Sequence, residues 1–436
     1  MTKNTVLVID GGGRGSALVD KYLESKLVGK VLATPGNDLM LTNKNVEIFP
    51  DIKTTDIKKI LNVCIKNKVD LVDVAQDNAV AAGVADILIK NKFKVFGPTK
   101  AAGRIEWDKS WSKNFMQKNK IPTAKFKVFK TQNAGVSFIK KQKEAKWYVK
   151  ASGLAAGKGA IFAANNKEAI NAINQMKNFG KSGETFIIEE YLEGEEFSSF
   201  AVVKGHNFII LGHAQDHKTV YEGNIGPNTG GMGCSSPPLV ITKQIEKQIN
   251  AIFRKTVVGL VKLKRPYLGI LYLGGIINSK DKVNVIEFNA RWGDPEAQVI
   301  LPSIKSDYFS LVSMILNGKK PKIIRDQRYR IIVAAAAKGY PTAYSKIIGK
   351  EINGLDKLIK SKMKIYGGGV EIQGDKYLVS GGRLFYVLGE GGNVAEARKI
   401  AYNALSLVSI AGGNLHYRKD IGYRDLKRLK PRTNDF

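Results

Sequence analysis

Short apolar runs alternate with amphipathic segments along the first part of the chain. The runs are of strand length, and in the segments between them apolar residues recur every three or four positions. The pattern predicts strands at 6–9, 31–34, 46–49, 71–74 and 95–96, and helices at 16–27, 55–67 and 80–91. Repeated strand-helix-strand order is typical of a parallel sheet with helices on both faces, so we predict such an α/β domain over residues 1–104.

A second pattern follows, which predicts a helix at 106–118 and then a compact unit at about 122–190. The unit has predicted strands at 126–129, 147–150, 160–163 and 186–189, and helices at 134–143 and 167–176. A hairpin at 198–203 and 208–211, a helix at 242–263 and strands at 268–278 and 283–289 complete a predicted domain over 105–326. Strands at 329–336 and 385–387 and a helix at 393–407 predict a smaller α+β domain over 327–436.

The formal net charge of +30 raises the possibility of a nucleic-acid partner. The lysines, however, are spread over many segments, and no RNA-binding or zinc-finger signature accompanies them. We therefore expect a lysine-rich surface and no specific nucleic acid. Cys64 and Cys234 form no spacing motif, so neither a disulfide framework nor a thiolate metal site is predicted. No apolar stretch approaches membrane-spanning length, and we expect a cytoplasmic protein with no membrane partner.

A glycine-rich loop lies between two predicted strands of the compact unit. It contains Gly153, Gly157 and Gly159, with Lys150 just before it and Lys158 inside it. The amides of such a loop can close over a polyanion while the lysines supply charge. A Walker A loop has four residues between its glycines and Ser or Thr after the lysine, and this loop has neither. A plain hairpin turn is the alternative interpretation.

The first predicted strand runs into a turn that contains Gly12, Gly13 and Arg14. Amides at the start of the following helix could bind a phosphate there. A dinucleotide fingerprint needs a third glycine where Ser16 stands and an acidic residue after the second strand, where 34–37 reads Thr-Pro-Gly-Asn. We therefore do not expect NAD, and a phosphate site and a simple tight turn both remain open.

The predicted strand at 283–289 carries the clearest chemistry. Glu287 and Asn289 are two positions apart, so both side chains lie on the same face of a sheet. A carboxylate and an amide oxygen form a hard-ligand pair suited to Mg²⁺ that bridges nucleotide phosphates. Arg291 and Asp294 follow closely. A polar strand end at the surface is the alternative.

Two further segments carry candidate site residues. The first, 188–196, follows a predicted strand and could present backbone groups to a purine and a carboxylate to ribose, or could be an acidic turn at the surface. The second, 226–233, reads Gly-Pro-Asn-Thr-Gly-Gly-Met-Gly and lies in no low-complexity context. We interpret it as a site loop rather than a linker.

Together these segments resemble the ATP-grasp superfamily, and within it the glycinamide ribonucleotide synthetase family. The resemblance extends over nearly the whole chain and rests on the motifs at 97–102, 150–159, 188–190, 194–196, 215–218, 226–233, 286–296 and 418–422. It implies a Rossmann-like N-terminal domain, an ATP-grasp domain with a lid, and a small α+β C-terminal domain. It also implies ligation of glycine to 5-phosphoribosylamine, with ATP and Mg²⁺ or Mn²⁺ as cofactors, by an enzyme that we expect to be a monomer.

The resemblance also implies roles for individual residues. Contacts with ATP are implied for Lys109, Lys150, Gly153, Gly157, Lys158, Gly159, Glu189, Glu190, Leu192 and Glu196. Glu287 and Asn289 are the implied metal ligands, and Lys150 and Arg291 the implied catalytic groups. Contacts with the two substrates are implied for Gly12, Gly13, Arg14, Asp216, Lys218, Asn228, Thr229, Gly230, Gly231 and Asp294.

The chain departs from the family pattern at four places. Residues 14–17 read Arg-Gly-Ser-Ala instead of Arg-Glu-His-Ala, and 76–80 also differ, both where the resemblance places phosphoribosylamine. Ser152 replaces the acid usual in the lid motif, and 106–110 replaces a plainer Gly-Ser-Lys. Two alternatives therefore stay open: a ligase that joins another carboxylate to another amine, and a basic nucleotide- or nucleic-acid-binding protein without turnover.

Overall fold

The computed structural model describes residues 3–155 and 157–429. The outer limits of the first and last predicted domains, and position 156 of the glycine-rich loop, lie outside the described residues. Within them, the N-terminal part contains β1 (Asn4–Asp10), α1 (Gly13–Leu23), β2 (Val28–Pro35), β3 (Val46–Ile48), α2 (Ile57–Lys66), β4 (Leu71–Val74), α3 (Asp77–Ala82), α4 (Val84–Lys90) and β5 (Val95–Phe96). All five predicted strands are present.

These strands form a parallel sheet in the order β3-β2-β1-β4-β5. Successive side chains of β1 enter two different hydrophobic clusters, Val6 and Val8 into one and Leu7 and Ile9 into the other. Both faces of the sheet are therefore covered, which explains why its strands are continuously apolar. The predicted Rossmann-like architecture is confirmed.

Two of the predicted helices are divided in the structure. The helix expected at 80–91 is interrupted by Gly83, which has a left-handed backbone with φ of +86° between α3 and α4. The helix expected at 106–118 is replaced by α5 (Lys100–Trp107) and α6 (Lys109–Lys118). Asp108, between them, has an extended backbone and accepts the N–H of Trp111, so it begins a new helix as its N-cap.

The lid is a four-stranded antiparallel sheet in the order β6-β9-β7-β8. Its elements are β6 (Phe126–Phe129), α7 (Gln132–Lys140), β7 (Trp147–Ala151), β8 (Ala160–Ala163), α8 (Asn166–Gln175) and β9 (Phe186–Glu190). Val149 and Phe186 from the sheet pack against Ile139 and Ile173 from the two helices. The lid thus has a hydrophobic core of its own.

A large sheet follows, with β10 (Glu195–Lys204), β11 (Asn207–Asp216), β14 (Gly233–Ser236), β15 (Leu268–Ile277) and β16 (Val283–Asn289). The same region also contains β12 (Thr219–Tyr221), β13 (Ile225–Asn228), α9 (Lys243–Lys262), α10 (Ala297–Ile300) and α11 (Tyr308–Leu316). The segment predicted as a loop at 226–233 therefore begins within a short hairpin strand and ends where β14 begins.

Some strands of the C-terminal part continue the large sheet, and others pair in small two-stranded sheets. Its elements are β17 (Tyr329–Ala337), β18 (Ile352–Asn353), α12 (Leu355–Lys360), β19 (Ile365–Gly367), β20 (Val370–Gln373), β21 (Lys376–Val379), β22 (Arg383–Gly391), α13 (Val394–Leu405), β23 (Ser409–Ile410), β24 (Leu415–His416) and α14 (Tyr423–Leu429). The sheet runs β16-β15-β10-β11-β14-β17-β22-β19, and β14 pairs directly with β17. Within the described residues, no helix combines the length and apolarity needed to cross a membrane.

The break at Gly83 provides a test of the helix division. An added Cβ would lie 3.6 Å or more from its neighbours, so a side chain there meets backbone strain rather than a clash. We expect Gly83→Val to lower the free energy of unfolding by about 1–2 kcal/mol in urea titrations. Gly83→Asn should lose clearly less, because Asn tolerates the left-handed conformation. Equal losses in the two variants would contradict this explanation.

Candidate active site

A cavity of about 570 Å³ lies between the lid and the large sheet. Strands β7 and β9 supply its lid side, and β10, β11 and β16 supply the opposite side. Many residues that the sequence predicted for the site line it: Lys109, Lys150, Gly157, Gly159, Glu189, Glu190, Leu192, Glu196, Asp216, Lys218, Asn228, Thr229, Gly230, Glu287, Asn289, Arg291 and Asp294. Segments far apart in the chain thus meet around a space of the size typical of ligand sites.

The other predicted residues are not among those that line the cavity: Gly12, Gly13, Arg14, Gly153, Lys158 and Gly231. Gly231 is closely packed, since an added Cβ would lie 2.4 Å from Pro295 Cδ. The N–H of Gly153 donates to the carbonyl of Ser182 at 3.0 Å, which anchors the start of the glycine-rich loop. These two glycines shape the loops that border the cavity.

Arg14 is buried and is not among the residues that line the cavity. Its Nε donates to Asp10 Oδ2 at 2.8 Å and its Nη1 to the carbonyl of Trp292 at 2.9 Å, while Nη2 contacts Asp10 and Gln76. Asp10 thus neutralises the guanidinium within the N-terminal domain. The contact of Arg14 with a substrate stays a prediction, without a cavity-facing position to support it.

Two buried lysines share one carboxylate on the lid side. Glu189 Oε2 lies 3.0 Å from Lys150 Nζ and 3.2 Å from Lys113 Nζ. Burial lowers the pKa of Lys113 to about 8, against the opposing effect of Glu189. Burial would also lower the pKa of Lys150, but Glu189 and Glu287 outweigh it and raise that pKa. Lys150 therefore stays positively charged although it is buried.

The opposite side carries the predicted metal ligands at the end of β16. Burial would raise the pKa of Glu287, but Lys109, Lys218 and Lys150 outweigh it and lower that pKa. Glu287 is thus an anion that faces cations. Asn289 Oδ1 accepts a hydrogen bond from Arg291 at 3.3 Å.

Glu287 and Asn289 offer a carboxylate and an amide oxygen to the same cavity, and this donor set fits an oxygen-preferring divalent cation. Among the described residues, no group of three or more His, Cys, Asp or Glu side chains forms a metal site by itself. A cation held here would therefore complete its coordination with water or with ligand oxygens.

Arg291 is fixed by a residue that the sequence analysis did not select. Its Nη2 lies 2.8 Å from Glu106 Oε1, and Glu106 Oε2 accepts the N–H of Ala290 at 2.8 Å. Burial would lower the pKa of Arg291, but Glu106 raises it strongly. Arg291 is therefore a permanently charged group with a fixed orientation at the cavity wall. In the sequence, Glu106 stands out only as the first residue of the unusual 106–110 segment, and nothing there links it to Arg291.

An apolar wall of the cavity adjoins the end of β9. Tyr148 and Tyr191 stack with ring centroids 6.1 Å apart, and both line the cavity with Leu192 and Ile276. The carboxylate of Glu190 accepts the N–H of Lys125 at 3.0 Å, so this side chain fixes the strand end. The wall is suited to a flat aromatic ring.

Glu196 and Lys218 form an ion pair at 2.8 Å at another edge of the cavity. Beside them, burial and the nearby Glu296 raise the pKa of Asp216 well above its usual range. Asp216 Oδ1 is buried and accepts no hydrogen bond from the described residues. Such a group can carry a proton and donate it to a ligand oxygen.

The C-terminal domain also contributes to the site, which the sequence did not predict. Arg383 in β22 donates to the carbonyl of Gly230 at 2.7 Å and pairs with Asp294 Oδ2 at 3.1 Å. Arg424 in α14 lines the cavity. Arg424 lies just beyond the 418–422 motif, and this motif could have pointed to it. No sequence motif pointed to Arg383.

Two sheets that border one cleft, with Lys150 from the lid and Lys109 from α6 near a carboxylate–amide pair, are the arrangement of ATP-grasp enzymes. The fold agrees: the biotin carboxylase domain of Hydrogenobacter thermophilus 2-oxoglutarate carboxylase matches with a TM-score of 0.70 and 16% identity, over 95% of this chain and 92% of that one. At this identity the likeness shows the fold alone. The predicted ATP-grasp architecture is confirmed.

The chain belongs to the phosphoribosylglycinamide synthetase family. The N domain of that family matches residues 4–106, its ATP-grasp (A) domain residues 107–297 and its C domain residues 330–424. The chain is therefore an ATP-grasp ligase that forms a carbon–nitrogen bond, as the resemblance implied.

Two relatives match over their whole length. A phosphoribosylamine–glycine ligase of Streptococcus pneumoniae is 39% identical over 97% of this chain and 100% of its own. A phosphoribosylamine–glycine ligase structure from Thermotoga maritima has a TM-score of 0.82 and 30% identity, over 96% of this chain and 100% of that one.

The metal strand yields a direct test. We expect Glu287→Gln to lower kcat by about 100-fold or more. The substitution removes a negative charge from the proposed metal ligands, and the loss of one electrostatic contact in the transition state typically costs that much. The melting temperature should change little, since Glu287 lies at a strand end facing the cavity. Glu371→Gln, at an exposed position of β20, is the matched control and should retain full activity. Near-normal turnover of the folded Glu287 variant would rule out this metal assignment.

The lid yields a second test. Lys158 is exposed, so trypsin should cleave after it in the free protein, and ATP with Mg²⁺ should slow that cleavage. Gly157 has φ of +75°, so Gly157→Val should strain the loop and weaken the protection. Cleavage at the exposed Lys319 serves as the control and should not respond to nucleotide. Unchanged cleavage after Lys158 would show that the loop does not close over ATP.

Proposed function

We propose that this protein joins glycine to 5-phosphoribosylamine, with ATP converted to ADP and phosphate, and releases glycinamide ribonucleotide. The observation that carries the proposal is the single cavity in which Lys109 and Lys150 face Glu287 and Asn289, in a chain that matches all three domains of its family. The boundaries between the three domains are proposed to lie at residues 104 and 326, as the sequence predicted. A cytoplasmic monomer stays a prediction.

The reaction needs activation because a carboxylate is a poor electrophile. A carboxylate oxygen of glycine attacks the γ-phosphorus of ATP, and the bond to the ADP oxygen breaks. In the glycyl phosphate so formed, the amine of 5-phosphoribosylamine attacks the carbonyl carbon, loses a proton, and expels phosphate. Catalysis of this kind depends mainly on positioning and charge neutralisation.

The residues of the cavity divide these tasks. Lys109 and Lys150 bind the phosphates of ATP, and the glycine-rich loop closes over them, which keeps water from the acyl phosphate. Arg291, held by Glu106, stabilises charge on the transferring phosphoryl group. Glu287 and Asn289 would hold Mg²⁺ or Mn²⁺, which would neutralise phosphate charge.

The purine takes the apolar wall on the lid side, and the ribose lies beside Glu196 at the start of β10. The wall formed by Tyr148, Tyr191 and Leu192 suits adenine, with the backbone near Glu190 available to its polar edge. Glu196 accepts hydrogen bonds from the ribose hydroxyls. The apolar wall thus matches the flat purine, and the carboxylate matches the polar hydroxyls of the ribose.

The two substrates occupy the opposite end, bordered by the 226–233 segment. Its residues Asn228, Thr229 and Gly230 line the cavity beside Lys218 and Asp294. Gly12 approaches the same place, since an added Cβ would lie 3.2 Å from Asp294 Oδ2. The first turn thus contributes backbone here, whereas the side chain of Arg14 is engaged elsewhere.

A panel of substrates tests the proposal. Phosphate release from ATP should require both glycine and 5-phosphoribosylamine, and the Glu287→Gln variant supplies the background rate. Release with a different acid or amine would favour a ligase of other specificity. No release with any pair, together with salt-sensitive RNA binding, would favour the non-catalytic binder.

A further inference from the structure

Three hydrogen bonds join the start of α6 to a single residue at the end of β7. The N–H of Lys109 donates to the carbonyl of Ser152 at 2.8 Å, and the N–H of Ser110 donates to Ser152 Oγ at 2.9 Å. The hydroxyl of Ser152 in turn donates to Asp108 Oδ1 at 2.9 Å. Ser152 is 5% exposed, so water competes little for these bonds.

Asp108 is the centre of this contact. Its Oδ1 also accepts the N–H of Trp111 at 3.0 Å and the hydroxyl of Ser110 at 2.8 Å, while Oδ2 pairs with Arg104 at 2.8 Å. Burial would raise the pKa of Asp108, but these hydrogen bonds outweigh it and lower that pKa. The carboxylate is therefore charged and well satisfied at neutral pH.

The two elements joined here belong to different hydrophobic cores. Phe115 and Met116 of α6 pack into the cluster shared by the parallel sheet and the large sheet. Val149 and Ala151 of β7 pack into the lid core. The contact therefore crosses the boundary between the lid and the rest of the molecule.

We propose that Asp108 and Ser152 form a clamp that fixes the spacing of Lys109 and Lys150, and that both are positioning residues for the phosphates of ATP. Lys109 is the first residue of α6, and Lys150 lies two residues before Ser152 in β7. Each lysine thus lies within two residues of a clamp residue in the chain, although Lys109 belongs to α6 and Lys150 belongs to the lid. The inference rests on the proposed assignment of these lysines to ATP.

The donor and acceptor roles in the clamp can be exchanged. A serine at 108 could still cap α6 and donate its hydroxyl to an aspartate at 152, and that aspartate could still accept the N–H of Ser110. The double variant Asp108→Ser with Ser152→Asp therefore keeps one carboxylate and one hydroxyl across the boundary. Ser152→Asp alone puts two carboxylates in contact, and Asp108→Ser alone leaves none.

The experiment compares KM for ATP, KM for glycine and melting temperature in these variants and in Ser152→Ala. We expect each single substitution to raise KM for ATP by about 3- to 30-fold, from loss of neutral and charge-assisted hydrogen bonds, with KM for glycine little changed. Ser152→Asp should be the most affected. The double variant should return to within about threefold of the parent chain, because the exchange restores the pairing.

Asn165→Ala is the matched control, since Asn165 caps α8 within the lid and accepts the N–H of Glu168 at 2.8 Å without contact to the cavity. It should lower the melting temperature but leave KM for ATP unchanged. The proposal would be wrong if the single variants had a lower melting temperature but a KM for ATP within twofold of the parent chain. It would also be wrong if the increases in KM for ATP of the two single variants simply combined in the double variant. Because KM for ATP can be measured with whichever acid and amine are active, a wrong substrate assignment would appear separately in the substrate panel.

Discussion

The active-site cleft depends on holding several cations in place before any phosphate arrives. Each is stabilised by a carboxylate: Glu189 lies between Lys150 and Lys113, Glu106 binds Arg291, and Glu196 binds Lys218. A buried charge without such a partner would shift its pKa toward neutrality or destabilise the fold. The carboxylates therefore preorganise the cations that face the cavity, and a polyphosphate need not reorder the side chains that bind it.

The continuous large sheet explains how the C-terminal domain takes part in this cavity. Because β14 pairs with β17, and β17 with β22, Arg383 reaches the 226–233 segment across adjacent strands. Paired strands lie about 5 Å apart, so these contacts are fixed by the backbone ladder. The lid differs, because its hydrophobic core is separate from the cores beneath the sheets. The cavity thus lies between a side that is fixed by paired strands and a lid that is built around its own core.

The sequence predicted the architecture and much of the cavity lining, because both follow from local patterns. Alternation of strands and helices identified the parallel sheet, and the two-residue spacing of Glu287 and Asn289 placed both on the cavity. Helix breaks were missed, since Gly83 and Asp108 interrupt patterns that remain apolar on one face. Glu106, Lys113 and Arg383 were also missed. Their importance comes from partners distant in the chain, and no local spacing encodes such contacts.

Two of the four departures from the family pattern, the first turn and the 76–80 segment, meet in the structure. The side chain of Arg14 contacts Gln76, so the altered first turn and the altered 76–80 segment meet. Ser16 Oγ accepts the N–H of Gly367 at 3.0 Å, which ties the same turn to the C-terminal domain. These two departures therefore form one packing unit, and Asp77 of the second lines the cavity. The other two departures, at 106–110 and Ser152, meet each other at the boundary between the lid and the rest of the molecule.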